Sequence, residues 1–482
     1  MSNTPTRAWH TWFKPLFKNT TKYERITVFL LGLAVLQPLQ VTISGAAFAV
    51  KRFGLGPENI GVLLGITYCF QELLCLVGSI TTTLLSYSLS NHKDYGKYWK
   101  YIFGTYSMVL SVLIAMLNTR LLGVFATGIG DSNLTMYYWT LSWTGFLFGA
   151  IDGTIRSISG PNGTFFGLGI ALGGFCVNIV HFLVARFISE GSEIGYWTLY
   201  FQICWVIFIS TVSGLMWTVV IIFDRFGPDK PSYSTGGGSV PSTTEALQAG
   251  APFLVMIWGS LGTMFSIYPG MTPFSVVTFD KAQQVLRTNL YLNAVVGIVA
   301  VLGKLYTKFF TDWNQDTTHM MKYGLLLLFV PYVTIAVCVI RTLHYPTGTI
   351  GSMIYMRPKV VFVISAIFFC CGSVLNQCGF GSIWPTMSGA GKSGSTEDGR
   401  ATVMTIAGTG VMMFLVTTKF ISEGYLRSFR AAKAGLESGL PWPTEGMTDG
   451  QAFRYWAGNG FKGAAKICVD IFTFDLRTKL LR

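Results

Sequence analysis

Four ionisable side chains within long apolar stretches of this sequence are candidates for chemistry, because a charge there is costly unless it is paired or hydrated. Glu72 occurs in F-Q-E-L-L, Asp152 and Arg156 in G-A-I-D-G-T-I-R, and Lys304 in V-L-G-K-L. A spacing of four residues places Asp152 and Arg156 on one face of a helix, where they can form an ion pair. One interpretation is that this neutral pair only locks its helix in place. Another, compatible with the first, is that it lines a pathway and offers hydrogen bonds to a polar solute.

Uncharged polar side chains in the same stretches serve either recognition or helix packing. An amide can hydrogen-bond the edge of a polar solute, and it can equally hold two helices together. Lys304 has a similar alternative, since a long basic side chain can reach the cytoplasmic membrane surface. His181 is better explained as a helix contact than as a proton relay. The amides concerned are Gln37, Gln40, Asn178, Asn376 and Gln377.

Two prolines interrupt apolar stretches, one in each half of the chain. Pro38 lies in L-Q-P-L-Q within the first stretch, and Pro269 lies in Y-P-G-M-T at the end of the seventh. Proline has no amide hydrogen and clashes with the preceding turn, so it breaks a helix. In hydrocarbon such a break must face other helices or a wet cavity. Paired interruptions indicate the central site of a transporter, so we expect both prolines to shape a cavity at the membrane midplane.

The composition excludes an ordinary soluble protein. Hydrophobic residues make up 51% of the 482 residues and charged residues only 12%, with a mean hydropathy of +0.49. Soluble domains carry roughly a quarter charged residues. The net charge of +13 does not indicate nucleic-acid binding, because the basic residues lie between apolar stretches and there they set membrane topology. The partners expected from composition are therefore the lipid bilayer and a small molecule, with no nucleic acid.

The motifs of enzymes, metal sites and nucleotide sites are not supported by their context. The nine cysteines show no metal-ligand spacing, and we predict no disulfide framework, no metal and no cofactor. The glycines of G-L-G-I-A-L-G at 167–173 allow close helix packing, since the strand that a dinucleotide site needs is missing. G-A-G-K-S at 389–393 likewise lacks the strand of a phosphate-binding loop. We predict that the protein is not an enzyme.

Eleven stretches are long enough to cross a bilayer, which takes about 20 apolar residues. They are 26–50, 59–88, 99–123, 136–158, 163–187, 197–223, 251–275, 287–309, 321–341, 358–382 and 401–422. They divide the chain into a cytoplasmic N-terminal arm (1–25), a six-helix bundle (26–223), a flexible cytoplasmic linker (224–250), a five-helix bundle (251–422) and a polar C-terminal tail (423–482). The Lys and Arg distribution favours a cytoplasmic N-terminus. With an odd number of spans, the basic tail then lies on the side of the membrane opposite the cytoplasm, unless one span is miscounted.

Several short motifs recur in an order that resembles the equilibrative nucleoside transporter family. The first stretch, G-L-A-V-L-Q-P-L-Q, is similar to that family's G-x-G-x-L-x-P-W-N, with Leu39 in place of the tryptophan and Gln40 in place of the asparagine. Y-P-G-M-T at 268–272 is similar to F-P-A-V-T, F-V-P at 329–331 to F-x-P, and A-T-V-M at 401–404 to A-G-x-x-M. The glycines of the fourth and fifth stretches follow the family pattern too. The resemblance covers roughly 26–422 and depends on order and spacing.

The resemblance implies an all-α polytopic membrane protein with about 11 transmembrane helices in pseudo-symmetric, major-facilitator-like bundles of six and five. It implies facilitated, alternating-access transport of nucleosides or nucleobases, with the plasma membrane as the location. The eighth stretch departs from the family, whose D-W-L-G-R becomes A-V-L-G-K at 300–304. The family's acidic residue is missing there, and Lys304 cannot reproduce the planar fork of arginine. Both family residues are implicated in substrate binding, so the substrate itself stays open.

Three functional hypotheses follow. The first is a carrier of nucleosides or nucleobases, the second a carrier of the same architecture for an amino acid, a sugar or an organic cation, and the third a membrane scaffold that does not transport. For the carrier we predict a pathway formed by Gln37, Pro38, Leu39, Gln40, Glu72, Asp152, Arg156, Pro269, Thr272, Lys304, Asn376 and Gln377.

Overall fold

A computed structural model describes residues 20–56, 60–91, 99–130, 132–188, 193–222, 241–268, 270–306, 324–388 and 399–473. Every regular element in these ranges is helical. The first half of the chain forms six long helices: α1 (Thr20–Arg52), α2 (Ile60–Asn91), α3 (Trp99–Thr127), α4 (Asn133–Ser159), α5 (Gly163–Phe187) and α6 (Ile194–Val220). A single 3-10 turn, Gly160–Asn162, joins α4 to α5.

The second half forms seven further helices within the described ranges. They are α7 (Thr243–Ile267), α8 (Phe279–Tyr306), α9 (Phe329–His344, preceded by the 3-10 turn Leu325–Leu328), the short α10 (Thr349–Ile354), α11 (Pro358–Ser388), α12 (Arg400–Glu437) and α13 (Asp449–Thr473). Leaving out α10 and α13, these two halves give the six and five long helices that the sequence predicts. Most of the predicted linker (224–250) and the N-terminal arm (1–25) lie outside the described residues, and their roles stay predictions.

Ten of the long helices in the described ranges are apolar enough to cross a membrane by hydropathy alone. The eleventh is α4, whose 27 residues include Asp152, Arg156 and several Ser, Thr and Gly residues that lower its hydropathy. Most of α4 is buried among the other helices, from Leu134 to Ser159, so it needs few apolar side chains facing lipid. The prediction of about eleven spanning helices is therefore confirmed, and α4 is the interior one.

Glycines allow α4 to lie directly against α2. A Cβ at Gly145 would collide with the backbone oxygen of Gln71, and a Cβ at Gly149 would collide with that of Cys75. Close backbone approach through small residues is how helices associate within membranes, where the hydrophobic effect between helices is absent. This contact places the polar side chains of α4 beside Glu72 of α2.

The two predicted proline breaks differ in the structure. Helix α1 runs without interruption through Pro38, and the Thr42 hydroxyl donates a hydrogen bond to the Pro38 carbonyl at 2.8 Å. A proline is tolerated in a spanning helix when side chains and neighbouring helices support the backbone around it. In the second half, by contrast, α7 ends at Ile267 and a turn leads from Gly270 to α8. Pro269 itself lies outside the described residues. The expectation of a broken first helix is thus corrected to a continuous one.

Helix boundaries in the second half are set by local capping. A capping box at Ser242 and Glu245 starts α7 eight residues earlier than the apolar stretch suggested, because the Ser242 side chain accepts from the Glu245 amide and the Glu245 side chain accepts from the Ser242 amide. Its end follows from the proline at 269, since the residue before a proline avoids helical geometry. The helix therefore crosses the membrane in a register shifted toward the N-terminus.

The polar tail is largely folded. Helix α12 continues past the predicted end of the last span to Glu437, and α13 packs across it where Gly424 meets Gly460 and Gly463. The Arg427 guanidinium donates to the Asp470 carboxylate at 2.7 Å, which fixes the far part of α13. Because α12 starts beside Pro241 near the start of α7, its end lies on the opposite face. We call the face that carries α13 the tail side and the opposite face the N-side.

Candidate functional site

A cavity lies at the centre of the protein, between the two halves. Its walls enclose about 1080 Å³ of empty space, including the part that is open to solvent. Helices α1, α2, α4 and α5 line it from the first half, and α7, α8, α11 and α12 line it from the second. The polar residues on its wall are Gln40, Glu72, Asp152, Arg156, Asn293, Ser373, Asn376 and Gln377.

The ion pair that the sequence predicts on α4 is formed and reaches the cavity. Arg156 Nε donates to both carboxylate oxygens of Asp152, at 2.9 and 3.0 Å, and both residues are only 4% exposed. The guanidinium lies 3.8 Å from the ring centroid of Phe380 and 5.1 Å from that of Phe166. Among the described residues Arg156 Nη1 has no hydrogen-bond partner. A planar, charge-neutralised donor is therefore held rigidly at the cavity wall.

Polar groups of α11 line the cavity beside the ion pair, since Phe380 of the same helix contacts the Arg156 guanidinium. Gln377 Nε2 donates to the Gly167 carbonyl at 3.1 Å, which ties α11 to α5. The neighbouring Asn376 Oδ1 and Ser373 Oγ have no hydrogen-bond partner among the described residues. Buried polar atoms in proteins are nearly all hydrogen-bonded. Residues on the cavity wall thus carry an unpaired donor on α4 and unpaired acceptors on α11, each with less than 1 Å² of accessible surface in this conformation.

Glu72 borders the cavity on the side of α2. It is 3% exposed, and its Oε2 has no hydrogen-bond partner within the described part of the chain. Tyr68, one helical turn earlier, faces the ammonium of Lys419 on α12, whose Nζ lies 4.8 Å from the Tyr68 ring centroid. Lys419 is only 5% exposed. This contact brings a helix of the first half against one of the second.

The structure brings seven of the twelve predicted pathway residues to the cavity wall: Leu39, Gln40, Glu72, Asp152, Arg156, Asn376 and Gln377. The other five do not line it in the described structure. Gln37 and Pro38 are buried on α1, and Thr272 is buried with its hydroxyl 3.1 Å from that of Ser365. Lys304 lies toward the N-side, where its Nζ donates to the Thr164 hydroxyl at 2.9 Å and joins α8 to α5. Pro269 is outside the described residues.

The sequence analysis missed four polar residues that lie on the cavity wall or are buried close to it. Ser373 and Asn293 lie on the cavity wall, and Lys419 and Glu423 lie buried between α12 and α2. The Lys419 to Glu423 spacing of four residues at the end of an apolar stretch was a usable signal. The predicted stretch ends at residue 422, and the sequence analysis assigned no role to either residue.

The site has no arrangement suited to a metal. Within the described ranges no three His, Cys, Asp or Glu side chains come together as a set of ligands. The polar groups of the cavity are instead separated by apolar side chains such as Leu261, Phe265, Leu290 and Phe369. An apolar cavity with a few oriented polar groups binds small organic molecules and fixes their orientation.

Comparison with solved structures identifies the fold. The chain aligns with the MFS (major facilitator superfamily) proton:xylose symporter XylE bound to 6-bromo-6-deoxy-D-glucose at a TM-score of 0.51 and 11% identity, covering 94% of this chain and 95% of that one. This chain has the major facilitator fold. A scan of protein-family models and a search of curated proteins give no significant match.

Two further structures align over most of their length at lower TM-scores. A bacterial homologue of the iron transporter ferroportin, in the outward-facing state, gives a TM-score of 0.45 at 10% identity and covers 93% of this chain and 98% of that one. The human organic anion transporter MFSD10 gives 0.41 at 12% identity, with coverages of 92% and 97%. With this fold and its long apolar helices, the protein is an integral, multi-pass membrane protein.

Proposed function

We propose that the protein is an alternating-access carrier that moves nucleosides or nucleobases across the plasma membrane. The observation that carries the proposal is the central cavity, because it lies between the two halves and is lined by both. In a carrier of this architecture the halves rock against each other around a fixed site at the membrane midplane. The major facilitator fold supports this mechanism, and the motif order of the sequence supports the solute class.

The chemistry of the cavity suits a heteroaromatic solute. A nucleobase is a flat, largely apolar ring system with donors and acceptors on its edges. The apolar side chains of the cavity accommodate its faces, and the unpaired Arg156 Nη1 and Asn376 Oδ1 are a donor and an acceptor for its edges. Asp152 neutralises Arg156, so the site favours an uncharged polar solute over an anion. The hydroxyls of a ribose can bond to Ser373 and Gln40.

Lys304 supports closure of the site in this proposal. Its bond to Thr164 joins the two halves on the N-side, away from the cavity wall. When the N-side opens, the bond between α8 and α5 must break, so the lysine contributes to the stability of the N-side-closed state. This assignment explains how a lysine can stand where the resembled family has a substrate-binding arginine.

The experiment is an uptake panel on full-length protein in transporter-deficient cells. Radiolabelled adenosine and hypoxanthine are offered, and unlabelled amino acids, sugars and organic cations serve as competitors. We expect saturable uptake that unlabelled nucleosides and nucleobases inhibit. If another class of compound competes instead, the second hypothesis replaces the first. Surface biotinylation establishes that the protein is at the plasma membrane, and an absence of saturable uptake by surface protein would contradict the proposal.

The scaffold hypothesis makes opposite predictions for the same cells. If the fold is retained without transport, Asp152→Asn and Lys304→Ala leave every measured flux unchanged, while truncation of the tail alters a partner interaction. The carrier proposal expects both substitutions to reduce uptake.

A further inference from the structure

Charged side chains of alternating sign lead from the cavity to the tail side. They are Glu72 of α2 and Lys419, Glu423 and Arg430 of α12, and we call them the charge ladder. Glu72, Lys419 and Glu423 are 3%, 5% and 4% exposed. Glu423 Oε1 accepts from Arg430 Nη1 at 3.3 Å, and the Arg430 side chain is 46% exposed. The ladder thus starts at the cavity wall and ends in solvent.

Lys419 lies between the two carboxylates of the ladder. It is one helical turn from Glu423 on α12, and it faces Tyr68, which is one turn from Glu72 on α2. Glu423 packs against the same face of α2 as Tyr68 and Glu72, since a Cβ at Gly65, about two helical turns before Glu72, would lie 2.7 Å from Glu423 Oε1. Among the described residues Lys419 forms no ion pair at contact distance with either carboxylate.

The arrangement of Lys419 and Glu72 differs from a close structural ion pair. The Asp152–Arg156 pair holds its atoms at 2.9 Å, as a structural ion pair does. Lys419 and Glu72 interact only at longer range, and Glu72 Oε2 has no hydrogen-bond partner within the described ranges. A buried ionisable group that no close ion pair neutralises at membrane depth marks a pathway or a proton relay.

No other group near Glu72 carries a positive charge that is free to balance it within the described ranges. On its own helix the Tyr68 hydroxyl is placed to donate a hydrogen bond to the carboxylate, and Cys69 and Cys75 are thiols. On the cavity wall, Asp152 of α4 is already paired with Arg156, and α1 contributes the uncharged Gln40. The charge of Glu72 therefore depends on Lys419. When Glu72 is neutral, Glu423 is the carboxylate nearest along α12 to balance the ammonium.

We propose that Glu72 carries a proton with the solute, which makes the protein a proton symporter that loads protons through the charge ladder from the tail side. This inference rests on the proposed carrier function. A proton from water on the tail side forms the O–H bond of the Glu72 carboxyl, and the same proton returns to water on the N-side. No other bond changes, so an uncharged solute moves together with one positive charge. Lys419 pairs with ionised Glu72 and shifts toward Glu423 when Glu72 is protonated.

The test uses the full-length protein in proteoliposomes that contain a pH-sensitive dye, with radiolabelled adenosine and hypoxanthine as probes. Solute counterflow, measured without a pH gradient, reports the carrier function alone. We expect addition of solute to acidify the lumen, and an inward proton gradient to accumulate solute severalfold above its equilibrium level. If counterflow occurs without acidification or accumulation, the proton inference is overturned and the carrier proposal stands. If counterflow itself is absent for every solute in the panel, the carrier proposal fails.

Two substitutions test whether residues of the charge ladder carry and control the proton. Glu72→Gln should lose both solute-dependent acidification and accumulation, because the amide cannot exchange a proton, and the number of protons moved per solute molecule should fall to near zero at whatever rate of counterflow remains. Lys419→Met should move the pH profile of gradient-driven uptake to higher pH, because Glu72 holds its proton more firmly without the ammonium. The exposed Lys281→Met on α8 is the matched control and should leave the profile unchanged. Proton coupling that persists in Glu72→Gln, or an unshifted profile in Lys419→Met, contradicts the assignment.

Discussion

Arg156 Nε bonds both carboxylate oxygens of Asp152, while Arg156 Nη1 has no partner among the described residues. The pair is buried in α4, the spanning helix that hydropathy alone does not detect. Because the pair is neutral overall, it can lie at membrane depth. In the proposed carrier, a rearrangement of the cavity wall brings its remaining donor to the solute. The same polar residues thus lower the hydropathy of α4 and line the candidate site.

Replacing Asp152 by Asn leaves the buried guanidinium without its counter-charge. Losing one partner of a buried ion pair costs about 3–5 kcal/mol, so we expect a melting temperature lower by several degrees and uptake reduced roughly tenfold or more. The double substitution Asp152→Asn with Arg156→Gln should recover much of the stability and little of the uptake. Recovery of both in the double variant would show that the pair only packs the helix. Asp280→Asn, at an exposed position of α8, is the control.

Asn376 and Gln377 are adjacent on α11 and should respond differently to leucine. Asn376→Leu removes an atom that bonds nothing in the described structure, so the melting temperature should hold while KM rises roughly tenfold. Gln377→Leu removes the bond to the Gly167 carbonyl and should lower the melting temperature, at a cost of about 1–3 kcal/mol. Thermal unfolding and uptake kinetics on the same preparations separate the two effects. Equal losses of stability in both variants would contradict the distinction.

The close contact of α2 and α4 depends on Gly149. A Val at this position would drive its side chain into the Cys75 backbone oxygen, so α4 must move away and the cavity wall with it. We expect Gly149→Val to be poorly folded, as measured by size-exclusion chromatography and thermal unfolding. Gly123→Val on α3 is the control, since a Cβ there meets nothing within 4 Å. A Gly149→Val protein as stable as Gly123→Val would show that the two helices are not packed as described.

The docking of α13 depends on Gly424 in the same way. Gly424→Val should push α13 off α12, because a Cβ would collide with the Gly460 backbone. The detached helix should then be cut by protease more rapidly than in the unmodified protein. Gly458→Val, where a Cβ meets nothing within 4 Å, should leave the tail protected. Unchanged protection in Gly424→Val would mean that the glycine contact does not hold the tail.

Much of this architecture is readable in the sequence because the bilayer imposes it. Apolar length predicts the spans, and ionisable residues inside them, such as Glu72, Asp152 and Arg156, mark the cavity wall. The prediction of a break at Pro38 was wrong, because α1 continues through this proline as an unbroken helix. Nothing in the local pattern distinguishes a proline that bends a spanning helix from one that does not.

The residues that sequence reasoning missed depend on tertiary contacts. Asn293 and Ser373 occur in apolar stretches that resemble their neighbours, and only the packing of α8 and α11 turns them toward the cavity. Lys419 lies near the predicted end of the eleventh stretch, before a polar sequence, and the sequence analysis did not single it out. The polar sequence is in fact an extension of α12 covered by α13, which buries the lysine.

The most direct test of the central claim is to fill the cavity and measure adenosine and hypoxanthine counterflow in proteoliposomes. Ile43→Trp places an indole on the cavity wall, and Val112→Trp places one on the 53%-exposed surface of α3. The account predicts saturable counterflow in the unmodified protein and in Val112→Trp, and its near-complete loss in Ile43→Trp at equal amounts of folded protein. Equal counterflow in the two tryptophan variants would contradict it.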